Sequence, residues 1–221
     1  MKFELKLTEN PSTRCPVVLL LDTSYSMSGR PIKELHEGVC AFINTLKDDA
    51  IARSSVELSV ITFGQSVQEM ISFEEIQKIN APEQIAACGN TPMGQALEKG
   101  LHCIEKRRQV YLENGISSYK PWLVLMSDGM PTDQWQQAAE SAKDMSNKGK
   151  LLFLGVGIGD NIDMNTYSQI LPDNCPPKKL KGLNFADFFA WLSDSMSQVS
   201  RSCGERVSLQ PTDSWSSIDP F

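Results

Sequence analysis

Five oxygen-bearing side chains in this sequence have the types and spacing of ligands for one small cation. They are Asp22, Ser24, Ser26, Thr91 and Asp128. Hard divalent cations prefer oxygen ligands, and Mg²⁺ takes about six of them in near-octahedral geometry. Ser24 and Ser26 are two residues apart in one predicted loop, so both hydroxyls can point to the same ion. The sequence therefore predicts a divalent-cation site, with Mg²⁺ as the first choice and Ca²⁺ or Mn²⁺ as alternatives.

The two aspartates of this set follow two apolar runs, Val17–Leu21 and Trp122–Met126. Such continuous apolar runs are typical of parallel strands that are buried on both faces. In a doubly wound α/β sheet, ligands bind beyond the carboxyl ends of the strands, where the strand order reverses. Asp22 and Asp128 are expected to meet at that edge. Two carboxylates there repel each other unless a cation or protons compensate their charge.

The remaining chain alternates strand-like and helix-like segments. Further strands are predicted at 56–63, at 66–73, which a hairpin joins to the preceding strand, and at 151–156. Helical periodicity is present at 32–46, 93–104, 135–145 and 185–199. This alternation predicts one α/β domain over residues 1–203, with a doubly wound, mostly parallel sheet, one antiparallel edge strand and helices on both faces. Gly204–Phe221 is short and rich in Ser and Pro, and is predicted to be a flexible C-terminal tail.

Composition excludes several classes of protein. The chain has 221 residues, of which 41% are hydrophobic, enough for a sizeable core. With 21 Lys and Arg against 27 Asp and Glu, the formal net charge is −6. Binding to nucleic acid or to an anionic membrane is therefore not expected, because both need a basic face.

The N-terminus and the cysteines indicate a cytoplasmic protein. Met1–Leu7 interleaves charged and apolar residues and lacks the apolar core of a signal peptide. The six cysteines are scattered without a close pair, which favours reduced thiols over a disulfide framework.

The site residues resemble a known family. Three motifs are responsible: Asp22-x-Ser24-x-Ser26, Thr91 and Asp128-Gly129. In this order they resemble the metal-ion-dependent adhesion site (MIDAS) of von Willebrand factor A domains, and the resemblance extends over roughly residues 17–200. The segments Leu19–Met27 and Gly29–Ile32 look most like the small stand-alone bacterial members found with tellurite-resistance and stress operons, the TerY-like group.

The resemblance implies a Rossmann-like fold and a role for each site residue. Ser24, Ser26 and Thr91 correspond to hydroxyl ligands, and Asp22 and Asp128 to carboxylates that act largely through water. A rim of three residues is expected to contact the partner: Tyr25, Asn90 and Gly129. Tyr25 stands where the family often has glycine, and Asn90 where it often has glycine or threonine.

The function that the resemblance implies is a non-catalytic, metal-dependent protein-binding module. A partner's Asp or Glu carboxylate would replace a water on the cation and complete its octahedron. By family association, the partner would be a PP2C-type phosphatase or a kinase. The protein would then be an adaptor in a bacterial tellurite-resistance, stress or phospho-signalling system.

An Mg²⁺-dependent haloacid-dehalogenase-type phosphatase is the alternative for the same residues. Such enzymes also place an aspartate at the end of the first strand, and Ser127–Asp133 approximates their late acidic motif. Their first motif needs a second aspartate as general acid/base where this chain has Ser24, and a serine hydroxyl cannot protonate a leaving group at neutral pH. We therefore expect no enzymatic activity.

Two site residues also have ordinary structural interpretations. Thr91 precedes Pro92 and could be the N-cap of the helix that begins there. Asp133 is expected to cap the helix that follows it rather than to bind a metal.

Overall fold

Seven strands form a single sheet in the part of the chain that the computed structural model describes, residues 10–159, 162–202 and 207–217. Their bounds are β1 Cys15–Asp22, β2 Val56–Phe63, β3 Val67–Glu75, β4 Trp122–Ser127, β5 Leu152–Gly157, β6 Lys178–Leu180 and β7 Ser216–Ser217. The strand order is β3-β2-β1-β4-β5-β6-β7. The N-terminal segment 1–9, to which the signal-peptide prediction refers, lies outside the described residues.

The inner strands are parallel and the two edge strands are antiparallel. β1 pairs in parallel with β2 and β4, and β4, β5 and β6 continue in the same direction. β3 returns from β2 as the predicted antiparallel edge strand. The predicted fold class is confirmed. The sequence did not predict the second antiparallel strand, β7, which pairs with β6 at the other edge.

Six helices flank this sheet in the described residues. Their bounds are α1 Arg30–Asp48, α2 Ala52–Ser55, α3 Met93–Glu113, α4 Gln136–Asn147, α5 Met164–Ile170 and α6 Phe185–Arg201. Because side chains alternate along a strand, Val17, Leu19 and Leu21 of β1 pack in the core that contains α1 and α6. Val18 and Leu20 pack in the other core, with α3, α4 and α5. No helix in the described residues is long and apolar enough to cross a membrane.

The strand order reverses between β1 and β4. The chain leaves β1 towards β2 on one side and returns to β4 on the other. Leu21 of β1 is in register with Met126 of β4, so the next residues, Asp22 and Ser127, end the two strands side by side. The loops that follow these two strands therefore begin at the same point of the sheet edge.

The described part of the predicted tail, residues 207–217, packs against the domain. Trp215 is fully buried, with its ring centroid 4.9 Å from that of Phe188 and 5.3 Å from that of Trp191. The Trp191 indole N–H donates to the Gln210 carbonyl at 2.9 Å. One large aromatic side chain of this segment thus packs in the apolar surface beside α6, and the boundary at Gly204 between domain and tail stays a prediction. Residues 204–206 and 218–221 lie outside the described residues.

The opposite end of the sheet has a buried charge cluster. Glu57 is fully buried, and its Oε1 lies 3.0 Å from Arg14 Nε. Its Oε2 accepts hydrogen bonds from Arg107 Nε at 2.6 Å and from the Tyr111 hydroxyl at 2.5 Å. A buried carboxylate is tolerated where charged and polar donors surround it in this way. This cluster therefore has a structural explanation, remote from the site at the carboxyl ends of the strands.

Candidate metal centre

The first loop of the site begins at the buried end of β1. Asp22 is fully buried, and its Oδ1 accepts a hydrogen bond from the Ser24 backbone N–H at 2.7 Å. Ser24 has an extended backbone, and a 3-10 turn follows at Tyr25–Met27. In that turn Met27 points into the core, whereas Tyr25 is 75% exposed. The loop is thus anchored by an aspartate on one side and a buried methionine on the other.

The two serine hydroxyls of this loop lie next to each other and next to Asp128. Ser24 Oγ is 3.0 Å from Ser26 Oγ. Ser26 Oγ donates a hydrogen bond of 2.7 Å to Asp128 Oδ1. The structure therefore brings four of the five predicted residues into one chain of contacts, from Asp22 through Ser24 and Ser26 to Asp128.

The Asp22 carboxylate is held in a low-dielectric position. Burial is the main effect and raises the pKa of Asp22 to about 6, and the nearby charge of Asp128 acts in the same direction. Hydrogen bonds from Ser127 and Ser24 oppose this rise, because they favour the ionised form. Ser127, at the end of β4, donates its hydroxyl to Asp22 Oδ2. A positive charge nearby would stabilise this buried carboxylate.

The loop before α3 brings Thr91 to the same edge. Thr91 is buried, and its backbone is tied to the loop after β4: its N–H donates to Thr132 Oγ1 at 3.1 Å, and its carbonyl accepts from the Thr132 N–H at 2.9 Å. A Cβ on Gly129 would lie 3.4 Å from Thr91 Oγ1, so the Asp128-Gly129 loop passes close to that hydroxyl. Within the described residues, Thr91 Oγ1 has no hydrogen-bond partner, and it does not cap α3.

The helix α3 is capped by Asp133 instead. Asp133 Oδ1 accepts from Gly94 N–H and its Oδ2 from Gln95 N–H, both at 2.9 Å. The expectation that Asp133 caps the helix that follows it is wrong, since α4 has no side-chain cap. Gly94 is required at this junction, because a Cβ there would lie 2.1 Å from the Gln134 carbonyl oxygen. Asp133 therefore fixes the N-terminus of α3, and with it Thr91, to the loop after β4.

The first loop and the threonine loop are also joined to each other. The Tyr25 N–H donates to the Gly89 carbonyl at 2.9 Å, and the Cys88 N–H donates to the Thr23 carbonyl at 2.6 Å. Tyr25 and Asn90 are exposed and Gly129 is half-buried, and each is next in sequence to a predicted ligand; their role as a rim that contacts the partner stays a prediction. Three loops that are far apart in sequence are thus held together by backbone hydrogen bonds.

Sequence reasoning missed two supporting residues. Ser127 could have been recognised, because it ends β4 directly beside the end of β1 and carries a hydroxyl. The long-range role of Asp133 has no local sequence signal, since its partners are 38 and 39 residues away.

The donor set suits a hard cation. Two adjacent oxygen ligands of an octahedral Mg²⁺, with bonds of about 2.1 Å, lie about 3 Å apart. The Ser24 and Ser26 hydroxyl oxygens have this separation, 3.0 Å. The described residues contain no group of three or more His, Cys, Asp and Glu side chains that could hold a metal.

A family model for the von Willebrand factor type A domain matches residues 17–194 of this chain. The chain belongs to this family. The match includes all five predicted ligands and every strand from β2 to β6, whereas β7 lies beyond it. A search of curated protein sequences finds no significant match.

Solved structures share the fold of this von Willebrand A domain. Manganese-loaded TRAP protein of Plasmodium vivax is 22% identical, with a TM-score of 0.58 over 81% of this chain and 73% of that one. The pilus adhesin SpaC of Lactobacillus rhamnosus GG is 14% identical, with a TM-score of 0.67 over 85% and 30% of the two chains. Proximal thread matrix protein 1 of the mussel byssus, with a zinc-occupied MIDAS motif, is 15% identical, with a TM-score of 0.53 over 83% and 48%. The von Willebrand A domain thus spans less than half of the adhesin and of the mussel protein.

Proposed function

We propose that this von Willebrand A domain is a non-catalytic protein-binding module that depends on a divalent cation. Ser24, Ser26 and Thr91 would hold the cation directly, and Asp22 and Asp128 would act largely through water. The observation behind the proposal is the pair of serine hydroxyls, 3.0 Å apart, with Ser26 also 2.7 Å from Asp128. Mg²⁺ is our first choice of cation, and the family neighbours with manganese and zinc make Mn²⁺ a practical probe.

The charge of the site explains how a partner would be recognised. Hydroxyls are neutral ligands, so a cation that they hold keeps most of its positive charge towards solvent and attracts an anionic oxygen. Asp22 is fully buried and bonded to Ser24 and Ser127, so it stays beneath the site. An Asp or Glu carboxylate from a protein partner is therefore the expected ligand on the open side. Tyr25, Asn90 and Gly129 would contact the surrounding part of that partner.

The biological setting is a further part of the proposal. The segment Leu19–Met27 resembles stand-alone bacterial members of the TerY-like group. This resemblance favours an adaptor in a tellurite-resistance or stress system, with a PP2C-type phosphatase or a kinase as partner. The described cysteines are free, which suits a reducing, cytoplasmic setting.

Metal binding can be measured directly by calorimetric titration with MgCl₂ and MnCl₂. We expect the wild type to bind and Asp128→Ala to bind at least about tenfold more weakly, because one supporting carboxylate is lost. Asp144→Ala is the matched control, since Asp144 is an exposed carboxylate paired with Lys148 on α4. Equal affinities of the wild type and Asp128→Ala would contradict the proposed site.

Partner binding is tested by a pull-down from the native host in Mg²⁺ or in EDTA, with Asp22→Ala and Asp128→Ala alongside. Both variants and EDTA are expected to abolish capture, and circular dichroism checks that each variant is folded. A partner captured equally well in EDTA would contradict the metal-dependent mechanism. Hydrolysis of a generic aryl phosphate with Mg²⁺ would favour the phosphatase alternative instead.

A further inference from the structure

Two large apolar side chains are exposed on the loops that form the candidate metal centre. Tyr25, 75% exposed, lies between Ser24 and Ser26, and Met130, 57% exposed, lies two residues after Asp128. Ser26 Oγ and Asp128 Oδ1 are 2.7 Å apart, so the two loops that hold Tyr25 and Met130 meet at the polar contacts of the site. Each of the two loops that supply these polar groups therefore also carries one exposed large apolar side chain.

The backbone of the first loop keeps Tyr25 in solvent. Its N–H is bonded to the Gly89 carbonyl at 2.9 Å, and the same 3-10 turn sends Met27 into the core. The ordered backbone therefore places Cβ of Tyr25 on the solvent side of the loop, with the side chain 75% exposed. Because the backbone that carries this ring is already ordered, the backbone loses no further conformational freedom when a partner covers the ring.

Exposed large apolar side chains are few in the described part of the chain. Apart from Tyr25 and Met130, they are Ile51, Met70 and Leu112. Leu112 lies near the C-terminal end of α3. In the segment after this helix, the Ser117 carbonyl accepts a hydrogen bond from the Arg14 N–H, directly before β1. Leu112 is therefore at the end of the sheet opposite to the metal centre. It offers a control position that is as exposed as Tyr25 but remote from the site.

We infer that the partner's docking segment combines its carboxylate with at least one large apolar side chain within two residues of it. The inference rests on the proposed function, because the carboxylate needs the cation site. A peptide side chain that covers Tyr25 or Met130 removes apolar area from water. The same apolar side chain also excludes water from the contact between the partner's carboxylate and the cation. Contacts that surround the residues contributing most to binding exclude water in the same way in other protein interfaces.

A displayed peptide library with a fixed central Asp and random neighbours tests this inference. The library is bound to the wild-type protein in Mg²⁺ and eluted with EDTA. We expect enrichment of Leu, Met, Phe, Trp or Tyr within two positions of the Asp. The enrichment should fall in Tyr25→Ser and in Met130→Ser, persist in Tyr25→Phe and remain complete in Leu112→Ser.

The outcomes separate this inference from the proposed function. Enriched Asp peptides without any preference for apolar neighbours would overturn the inference and leave the proposed function standing. If no peptide is eluted by EDTA from the wild type, the proposed function itself fails. Electron paramagnetic resonance measures Mn²⁺ binding by each variant and so reports whether the metal site is intact. For an enriched peptide made synthetically, we expect the double variant Tyr25→Ser/Met130→Ser to bind about tenfold more weakly than the wild type.

Discussion

The hydroxyl of Ser127 donates a hydrogen bond to Asp22 Oδ2 across the two central strands of the sheet. Ser127 ends β4 and Asp22 ends β1, and both residues are fully buried. The same serine oxygen accepts from the Gly129 N–H at 3.1 Å. Ser127 therefore links the carboxylate beneath the site to the start of the Asp128-Gly129 loop.

Ser127→Ala should weaken metal binding without unfolding the domain. The substitution removes a donor that orients the Asp22 carboxylate and favours its ionised form. Loss of such a supporting hydrogen bond usually costs about 10- to 100-fold in metal affinity. Mn²⁺ titration of the variant measures the effect. Ser141→Ala is the matched control, since the Ser141 hydroxyl donates to the Gln137 carbonyl on the exposed side of α4. Equal affinity of the Ser127 variant and the wild type would show that Asp22 needs no such support.

Asp133→Ala should reduce both stability and metal affinity. Asp133 caps α3 through Gly94 and Gln95, and loss of an N-cap costs about 1 kcal/mol. Because Thr91 precedes this helix, we also expect Mn²⁺ to bind several-fold more weakly. Asp163→Ala is the comparison for the loss of a cap alone, because Asp163 caps a helix other than α3: it accepts the Asn165 N–H of α5 at 3.0 Å. Urea unfolding and Mn²⁺ titration of both variants make the comparison. Similar losses of metal affinity in the two variants would count against a specific role for Asp133.

The fold was predictable because its long elements have strong local signals. Val17–Leu21 and Trp122–Met126 are apolar without interruption, and such runs form buried parallel strands wherever helices cover both faces. β6 and β7 have three and two residues, too few for any periodicity to be visible. Trp215 stands in a polar segment, and its burial depends on Phe188 and Trp191 of a helix earlier in the chain.

The site was predictable to a similar extent. Ser24, Ser26 and Asp128 follow strands that the sequence pattern makes neighbours, so their meeting follows from the topology. Asp133 has no comparable signal, because rules for helix caps consider only the helix that begins next in the chain. Its real partners belong to α3, and only the tertiary arrangement brings them within reach.

Asp49 should contribute stability at neutral pH that is lost in acid. Burial of its carboxyl disfavours ionisation. Hydrogen bonds from the Ala52 N–H, the Ser197 side chain, the Ile51 N–H and Arg201 outweigh burial and lower the pKa of Asp49 to about 2. A folded-state pKa below the ordinary 3.8 means that the ionised form favours folding. The contribution is therefore complete above about pH 4 and disappears as the pH falls through about 2.

Asp49→Asn should accordingly be less stable than the wild type at about pH 7, with the difference shrinking below about pH 4. Urea unfolding of both proteins over this range measures the difference. Arg201→Gln removes only the guanidinium partner, 2.6 Å from Asp49 Oδ2, and should lose a smaller part of the stability. A difference between Asp49→Asn and the wild type that stays constant down to about pH 2 would contradict this assignment.

Residues 207–217 should behave as part of the folded domain. Trp215 is fully buried beside Phe188 and Trp191, and the Lys181 N–H donates to its carbonyl at 2.8 Å. Replacing a buried Trp by Ala costs about 3–5 kcal/mol, so Trp215→Ala should lower the free energy of unfolding by this amount. A chain that ends at Ser202 should be destabilised at least as much.

Trp215→Phe distinguishes apolar packing from hydrogen bonding at this position. The buried Trp215 indole N–H has no hydrogen-bond partner among the described residues, so Phe should cost much less than Ala. Leu112→Ala is the exposed control, at 75% exposure, and should change the free energy of unfolding by about 0.5 kcal/mol or less. Urea unfolding of the four proteins and the wild type gives the comparison. If the chain ending at Ser202 is as stable as the wild type, the C-terminal segment adds nothing to the fold, and a domain that ends near residue 203 is the better description.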